Sequence, residues 1–407
     1  MARCLENKSV LLGLSGGIAC YKAADFVRAL RRAGATVRVV MTASAEEFIT
    51  PMTMQTLSGN PVGRTTFDLT RESQIGHIEL ADGADAVVVA PATANIIGKM
   101  ANGIADDLLT TVLLATQAPL LVAPAMNVHM FENPMVRSNI EKLRDHGVTI
   151  IEPGEGSLAC GYEGKGRLAD TEILVAETAR ALSAHDLDGE HVLVSAGPNR
   201  EPIDPVRFIS NRSTGKMGFA LAAAAWRRGA RVTLVAGPTS LPTPHGVERI
   251  DVGTAEEMHD AIVDAYAHAS IVFMAAAVAD YRVVNPATEK IKKGPGGMML
   301  ELDRTVDVLA ELAAQREHQL LVGFAAETEH VLANAQRKLR DKGIDLIVAN
   351  DVSGSDTGFG VDTNAVTIFS RKGDREIVPL MSKDDVADRI LDATISFKSR
   401  LDGDDLL

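Results

Sequence analysis

Three stretches of the 407-residue sequence join reactive side chains to backbone slim enough for a ligand to approach. The first is Gly13-Leu14-Ser15-Gly16-Gly17-Ile18, directly after an apolar run. Such a turn, backed by a helix start, can aim its N–H groups at a phosphate. It lacks the spacing Gly-x-Gly-x-x-Gly, and the next apolar run ends at Met41-Thr42 rather than at an acid able to hold an adenosine ribose. A mononucleotide such as FMN therefore suits it better than NAD. The second is Ser213-Thr214-Gly215-Lys216-Met217-Gly218. A Walker loop would need Gly at Ser210 and a hydroxyl at Met217, so triphosphate binding in that form is excluded. A glycine-rich helix start carrying Asn211, Arg212 and Lys216 still suits an anion. The third, residues 156–167, is rich in glycine and carries one thiol, Cys160, the profile of an active-site flap.

The elements that must hold these stretches follow from hydrophobic patterning. Short apolar runs at 10–14, 37–41, 86–90, 120–123 and 148–151 alternate with helical patterns, which predicts βα units around a parallel sheet. A helix at about 171–183 closes the series, and polar residues 185–190 form the expected boundary. The pattern then restarts, with strands expected at 191–195, 231–236, 271–275, 320–324, 346–349 and 365–369. Residues 197–213 read as a long loop, 215–228 as a helix, and a last helix follows Ser382. The fold class is α/β: two doubly wound Rossmann-like domains in series, 1–186 and 187–407. Pro91-Ala92-Thr93-Ala94-Asn95 and Pro124-Ala125-Met126-Asn127 each follow a strand, where open parallel sheets place ligand loops.

Composition narrows the function classes. At roughly 100–200 residues per domain the length allows two or three. With 41 basic and 54 acidic side chains the net charge is −13, which argues against a broad nucleic-acid surface but not against a local phosphate pocket. Three cysteines without metal-ligand spacing point to a reducing, cytoplasmic setting. The uncharged stretch 108–131 is interrupted by Gln117, Pro119, Pro124 and Asn127, so it reads as buried core rather than a membrane span.

The clusters around Ser15, Asn95, Asn127 and Cys160, taken in order, resemble the flavin-dependent cysteine decarboxylases, in particular phosphopantothenoylcysteine decarboxylases. The second half carries Ser195-Ala196-Gly197-Pro198, Glu201-Pro202-Ile203-Asp204 and the run from Phe208 to Gly218, and is similar to phosphopantothenate–cysteine ligases. Together they resemble the fused bacterial proteins of coenzyme A biosynthesis over essentially the whole chain. One departure is Phe131, where related peptide-cysteine decarboxylases carry Trp.

The resemblance implies roles. His77 would assist oxidation of the substrate's thiol carbon and loss of CO2, Asn127 would bind the carboxylate, and Cys160 would protonate the ene-thiolate product. FMN would lie against Ser15, Gly16, Gly17, Ile18, Ser44, Phe48, Thr93, Asn95, Ala125 and Met126. In the second half, CTP with Mg2+ would activate 4′-phosphopantothenate as an acyl-cytidylate, which cysteine then attacks. CTP would contact Ala277, Asp280, Lys290, Val306, Asp307, Val308, Leu309, Phe324, Lys338 and Lys342, with Asn211 and Lys290 acting on the acyl-cytidylate. The decarboxylase family also implies a homo-oligomer, trimer-based, with flavin at a subunit interface. Two other classes stand beside this reading: a flavin-binding regulatory protein on the same fold, and an NAD-dependent oxidoreductase. Joint presence of His77, Asn127 and Cys160 favours the enzyme over the first. The missing dinucleotide fingerprint disfavours the second.

Overall fold

The computed structural model describes residues 4–66, 76–157, 163–293, 297–327, 331–351, 358 and 360–404. The chain divides into two compact units, 1–183 and 184–407.

The first unit begins with β1 (Ser9–Leu14), α1 (Cys20–Arg32), β2 (Thr36–Met41), α2 (Ala43–Glu46), α3 (Pro51–Ser58) and β3 (Val62–Gly63). It continues through α4 (His77–Asp82), β4 (Ala86–Ala92), α5 (Ala94–Ala101), α6 (Leu108–Ala115), β5 (Leu120–Pro124), α7 (Val128–Glu132), α8 (Pro134–Asp145) and β6 (Thr149–Ile150). A hairpin of β7 (Gly154–Ser157) and β8 (Glu163–Arg167) precedes α9 (Thr171–Ala181). The sheet is parallel, in the order β3-β2-β1-β4-β5-β6. Leaving aside the two-residue β3, the order of the others is that of flavodoxin-like folds, with the switch point between β1 and β4.

Both faces of this sheet are covered, which is why its strands read as continuous apolar runs. Along β4 the side chains alternate between two cores: Ala86, Val88 and Ala90 enter one, Val87 and Val89 the other. Helix α1 buries Ala23, Phe26, Val27 and Leu30, the i, i+3, i+4, i+7 stripe of an amphipathic helix. The uncharged stretch 108–131 is divided among α6, β5 and most of α7. Among the described residues no helix is long and apolar enough to cross a membrane.

The second unit opens with β9 (His191–Ala196), β10 (Arg200–Pro202), β11 (Phe208–Ser210), α10 (Lys216–Arg227), β12 (Arg231–Ala236), β13 (Glu248–Asp251), α11 (Ala255–Tyr266) and β14 (Ile271–Met274). Then come β15 (Tyr281–Val283), β16 (Leu302–Arg304), α12 (Val308–Ala314), β17 (Leu320–Glu327), α13 (Val331–Asp341), β18 (Leu346–Asp351), β19 (Thr363–Ser370), β20 (Arg375–Ser382) and α14 (Lys383–Asp404). Its main sheet runs β13-β12-β9-β14-β17-β18-β19-β20, parallel as far as β18 and antiparallel across the last two pairings.

Several features differ from the sequence expectation, among them the unexpected strands β3 and β13 and the pairs β7–β8 and β15–β16. The expected loop 197–213 contains the antiparallel pair β10–β11, whose three-residue strands are too short to show a period. Strand β20 was not expected either; it carries Pro379, which an edge strand tolerates because one side of its backbone faces no partner. The boundary stretch packs with the second unit: Leu187 is buried and donates its N–H to the Arg228 carbonyl at 3.1 Å, while the Asp186 carboxylate takes Arg228 Nε at 2.8 Å.

Candidate active sites

In the first unit the turns after β1, β2, β4 and β5 converge at the switch point and enclose a cavity of about 720 Å3. Ser15 fastens two of them. Its hydroxyl donates to the Pro91 carbonyl at 2.8 Å and accepts the Thr93 N–H at 2.9 Å. Gly16 lets the third approach: a Cβ there would lie 2.3 Å from the Cβ of Ser44 and 2.7 Å from its carbonyl oxygen. Helices α1 and α5 both start here without a side-chain cap, so their first-turn N–H groups are placed to meet an anion.

Of the residues expected at a flavin, Ser15, Gly16, Gly17, Ile18, Ser44, Thr93, Asn95, Ala125 and Met126 line this cavity, as does Asn127. The Asn127 amide oxygen accepts the His129 N–H at 2.9 Å and so heads α7. Phe48 and His77 are not in the lining; Phe48 is exposed, and His77 is half-buried at the first position of α4. Cys160 lies outside the described residues, between the two strands of the β7–β8 hairpin. Patterning missed three cations in the lining: Lys22, Lys99 and Arg167. Burial pushes the Lys22 ammonium down, Arg167 pushes it the same way, and Asp170 at 3.8 Å opposes. Lys99 is paired with Asp106 at 2.6 Å, whose hydrogen bond holds its pKa up. The available signal was position, since Lys22 falls in the first turn of the helix that follows the glycine turn.

A second cavity, of about 620 Å3, occupies the corresponding switch region of the second unit, between β9 and β14. Ala277, Asp280, Val306, Asp307, Val308, Leu309, Phe324, Lys338 and Lys342 all line it. Their support is a set of buried polar bonds. The Ser195 hydroxyl accepts the Ala276 N–H at 3.2 Å, and fully buried Asn199 accepts the Ala279 N–H at 2.7 Å. Asn199 also donates to the buried carboxylate of Glu201, which takes the Ala255 N–H at 2.8 Å. Asp307 caps α12 and receives Lys342 Nζ at 3.1 Å. The Lys342 N–H reaches the Lys338 carbonyl at 3.0 Å, which keeps both lysines on one face.

Asn211 and Lys290 are not in the lining. The Asn211 amide donates to the carbonyls of Ala277 and Val278 at 2.9 and 3.1 Å, against the back of the cavity loop. Lys290 precedes Ile291, whose N–H donates to Asp204 at 3.1 Å and whose carbonyl accepts Arg207 Nη2 at 3.0 Å. The Arg207 guanidinium holds the Asp204 carboxyl well below the usual carboxylate range. Gly215, at φ 83°, turns the chain into α10 and brings Ser213, Thr214 and Lys216 to the rim. Patterning also missed Asn350, Asn364 and Lys383, which β18, β19 and α14 deliver from far along the chain. Among the described residues no group of three or more His, Cys, Asp and Glu side chains could hold a metal ion.

Two doubly wound units, each with a cavity at its own switch point, define a two-site α/β protein, and residues 1–183 match the family model described as Flavoprotein. Residues 187–397 match the model described as DNA/pantothenate metabolism flavoprotein C-terminal domain. The chain is 52% identical over 391 residues to the coenzyme A biosynthesis bifunctional protein CoaBC of Bacillus subtilis (strain 168), covering 95% of this chain and 96% of that protein. It is 46% identical over 397 residues to the protein of the same name from Escherichia coli (strain K12), covering 96% and 98%. A crystal structure of the C-terminal domain of such a protein is 40% identical, covers 53% of this chain and 100% of that one, and superposes with a TM-score of 0.47. The chain belongs to the family of coenzyme A biosynthesis bifunctional proteins.

Proposed function

We propose that residues 187–407 join cysteine to 4′-phosphopantothenate at the expense of CTP, and that residues 1–186 decarboxylate the product to 4′-phosphopantetheine with FMN. The observation that carries this reading is the pair of separate cavities. Each gathers, from turns distant in sequence, most of the residues expected for one of the two reactions.

The first cavity suits a flavin mononucleotide in volume and in lining, since ligand pockets of about 300–1,000 Å3 are typical. Gly16, Gly17 and the starts of α1 and α5 would hold the phosphate through backbone N–H groups. Bound FMN supplies an electron acceptor and donor that is used without net redox change. Asn127, which lines the cavity with its oxygen engaged by the His129 N–H, would bind the substrate carboxylate through its amide. Cys160 delivers the proton that quenches the ene-thiolate, and His77 assists at the thiol carbon. Phe48 and His77 lie outside the lining, and Ile18, Tyr21 and Met130 line the cavity yet stay exposed. A homo-oligomer that closes the first site with a second subunit accounts for both observations.

In the second cavity, Lys338 and Lys342 would meet the nucleotide, and Asp280 and Asp307 would hold a Mg2+, which would supply positive charge to offset that of the phosphates. Asn211 and Lys290 act on the acyl-cytidylate, Lys290 from a loop anchored by Asp204 and Arg207. Both reactions are placed in the cytoplasm. The test is incubation of purified protein with 4′-phosphopantothenate, cysteine and either CTP or ATP. CMP, pyrophosphate and CO2 should form with CTP. AMP formation alone would reassign the nucleotide, and a yellow protein that forms no CO2 would favour a flavin-binding regulator.

A further inference from the structure

We propose that Lys216 and Lys383 form a phosphate subsite at one end of the second cavity, and that Asp362 is the resting counter-ion which a substrate phosphate displaces. Both lysines line the cavity, one from the start of α10 and the other from the start of α14. Lys383 has no role above, and Lys216 has figured only as part of a glycine-rich helix start suited to an anion.

Lys383 is only 6% exposed. Its ammonium donates to the carbonyls of Gly358 and Val361 at 2.8 and 2.6 Å. Both of these acceptors are carbonyl dipoles, which carry no net charge. Burial lowers its pKa to about 8, Lys216 pushes the same way, and Asp362 opposes. A cation so desolvated gains from an added anion, because attraction grows as water is excluded.

Lys216 Nζ bonds Asp362 at 2.6 Å and the Gly360 carbonyl at 2.9 Å. The Asp362 side chain is 87% exposed, so the pair is a solvated one and costs little to break. A phosphate dianion that takes the place of this carboxylate meets two ammonium groups and brings twice the charge.

The wall beside the lysines adds an acceptor. Asn350 Oδ1 is buried and, among the described residues, has no hydrogen-bond partner. It stands near the end of β18, which pairs antiparallel with the start of β19, and the Lys383 N–H is in turn bonded to the Asp362 carbonyl at 2.9 Å. This end of the cavity therefore matches a phosphate ester that carries a hydroxyl or N–H donor. Two ligands of the proposed ligase have that chemistry, a nucleoside triphosphate and a phosphorylated acyl substrate. The choice of ligands rests on the ligase reading, but the subsite can be tested by binding alone.

The experiment is calorimetric titration of the full chain, without added metal, using pyrophosphate, CTP, 4′-phosphopantothenate and unphosphorylated pantothenate. Lys216→Gln should weaken binding of a phosphorylated ligand about tenfold. Asp362→Asn, at an exposed position that does not threaten the fold, should tighten it roughly threefold. Pantothenate should respond to neither. A change confined to CTP and pyrophosphate places the nucleotide's phosphates at the subsite; one confined to 4′-phosphopantothenate places the acyl substrate there. Binding in Lys216→Gln within twofold of wild type for every phosphorylated ligand overturns the proposal. So does equal weakening of pantothenate, or unchanged or weaker binding in Asp362→Asn. Failure of the wild-type chain to form CMP would instead count against the ligase reading, and the pyrophosphate titration would still decide the subsite.

Discussion

The two cavities sit at equivalent points of two similar sheets yet are built from different materials. The first is walled by small residues and uncapped helix starts, with Ser15 tying the turns together. Of its lysines, Lys99 is already paired with Asp106 and Lys22 lies 3.8 Å from Asp170. The second is walled by lysines, asparagines and Asp280, and its loops rest on the buried bonds of Ser195, Asn199 and Glu201. A ligand that is mostly ring asks for close approach of backbone and apolar side chains. A reaction that moves phosphate charge asks for cations and fixed dipoles. The shared topology supplies the place and leaves the chemistry to the loops.

The largest expected break in this comparison comes from Gly16→Val. Its side chain would collide with Ser44 and close the first cavity, so the purified protein should be colourless and release no CO2. CMP formation should stay near the wild-type rate, and a parallel loss of CMP would show that the two cavities are not independent.

Asn199→Ala should act in the opposite unit and less completely. It removes the acceptor of the Ala279 N–H and a donor to the Glu201 carboxylate. The second unit should lose about 1–3 kcal/mol in denaturant titration, and the KM for CTP should rise. Flavin content should not change; a drop in it would mean that the second unit's polar platform also supports the first site.

The smallest effect concerns pH. Because Arg207 depresses the Asp204 carboxyl in the folded state, the unfolded chain binds the proton more readily. The stabilisation is therefore fully present above about pH 4, the ordinary range for Asp, and is lost as pH falls toward the folded value. Asp204→Asn should lower stability at pH 7 and flatten the acid limb below about pH 4. An unchanged acid limb would remove this pair as the anchor of the Lys290 loop.

The strand series of both units was legible because parallel strands covered on both faces are continuous apolar runs, as along β4 and β9. The glycine turn at Gly16 and the loops at Asn95 and Asn127 were legible because few other roles combine such residues directly after a strand. The hairpin β10–β11 was not, since its pairing depends on partners such as Ser210 and Arg200 meeting across a turn. Edge strand β20 was hidden by Pro379 and by alternation too weak to mark a face.

Local chemistry thus pointed to the class of each site: a glycine turn at a helix start, a thiol in a glycine-rich run, lysines one helical turn apart. Those features act over a few residues and survive in one dimension. Which residues share a cavity is a different kind of fact. Lys216, Asn350 and Lys383 are separated by most of the second unit and meet because β18, β19 and α14 bring them to one end of the sheet. Phe48 and His77 stand outside the lining of the cavity that gathers Ser15, Asn95 and Asn127, although Phe48 follows within four residues of Ser44, which does line it. Side-chain type is written along the chain, whereas proximity is created by sheet order and by the burial that makes that order favourable.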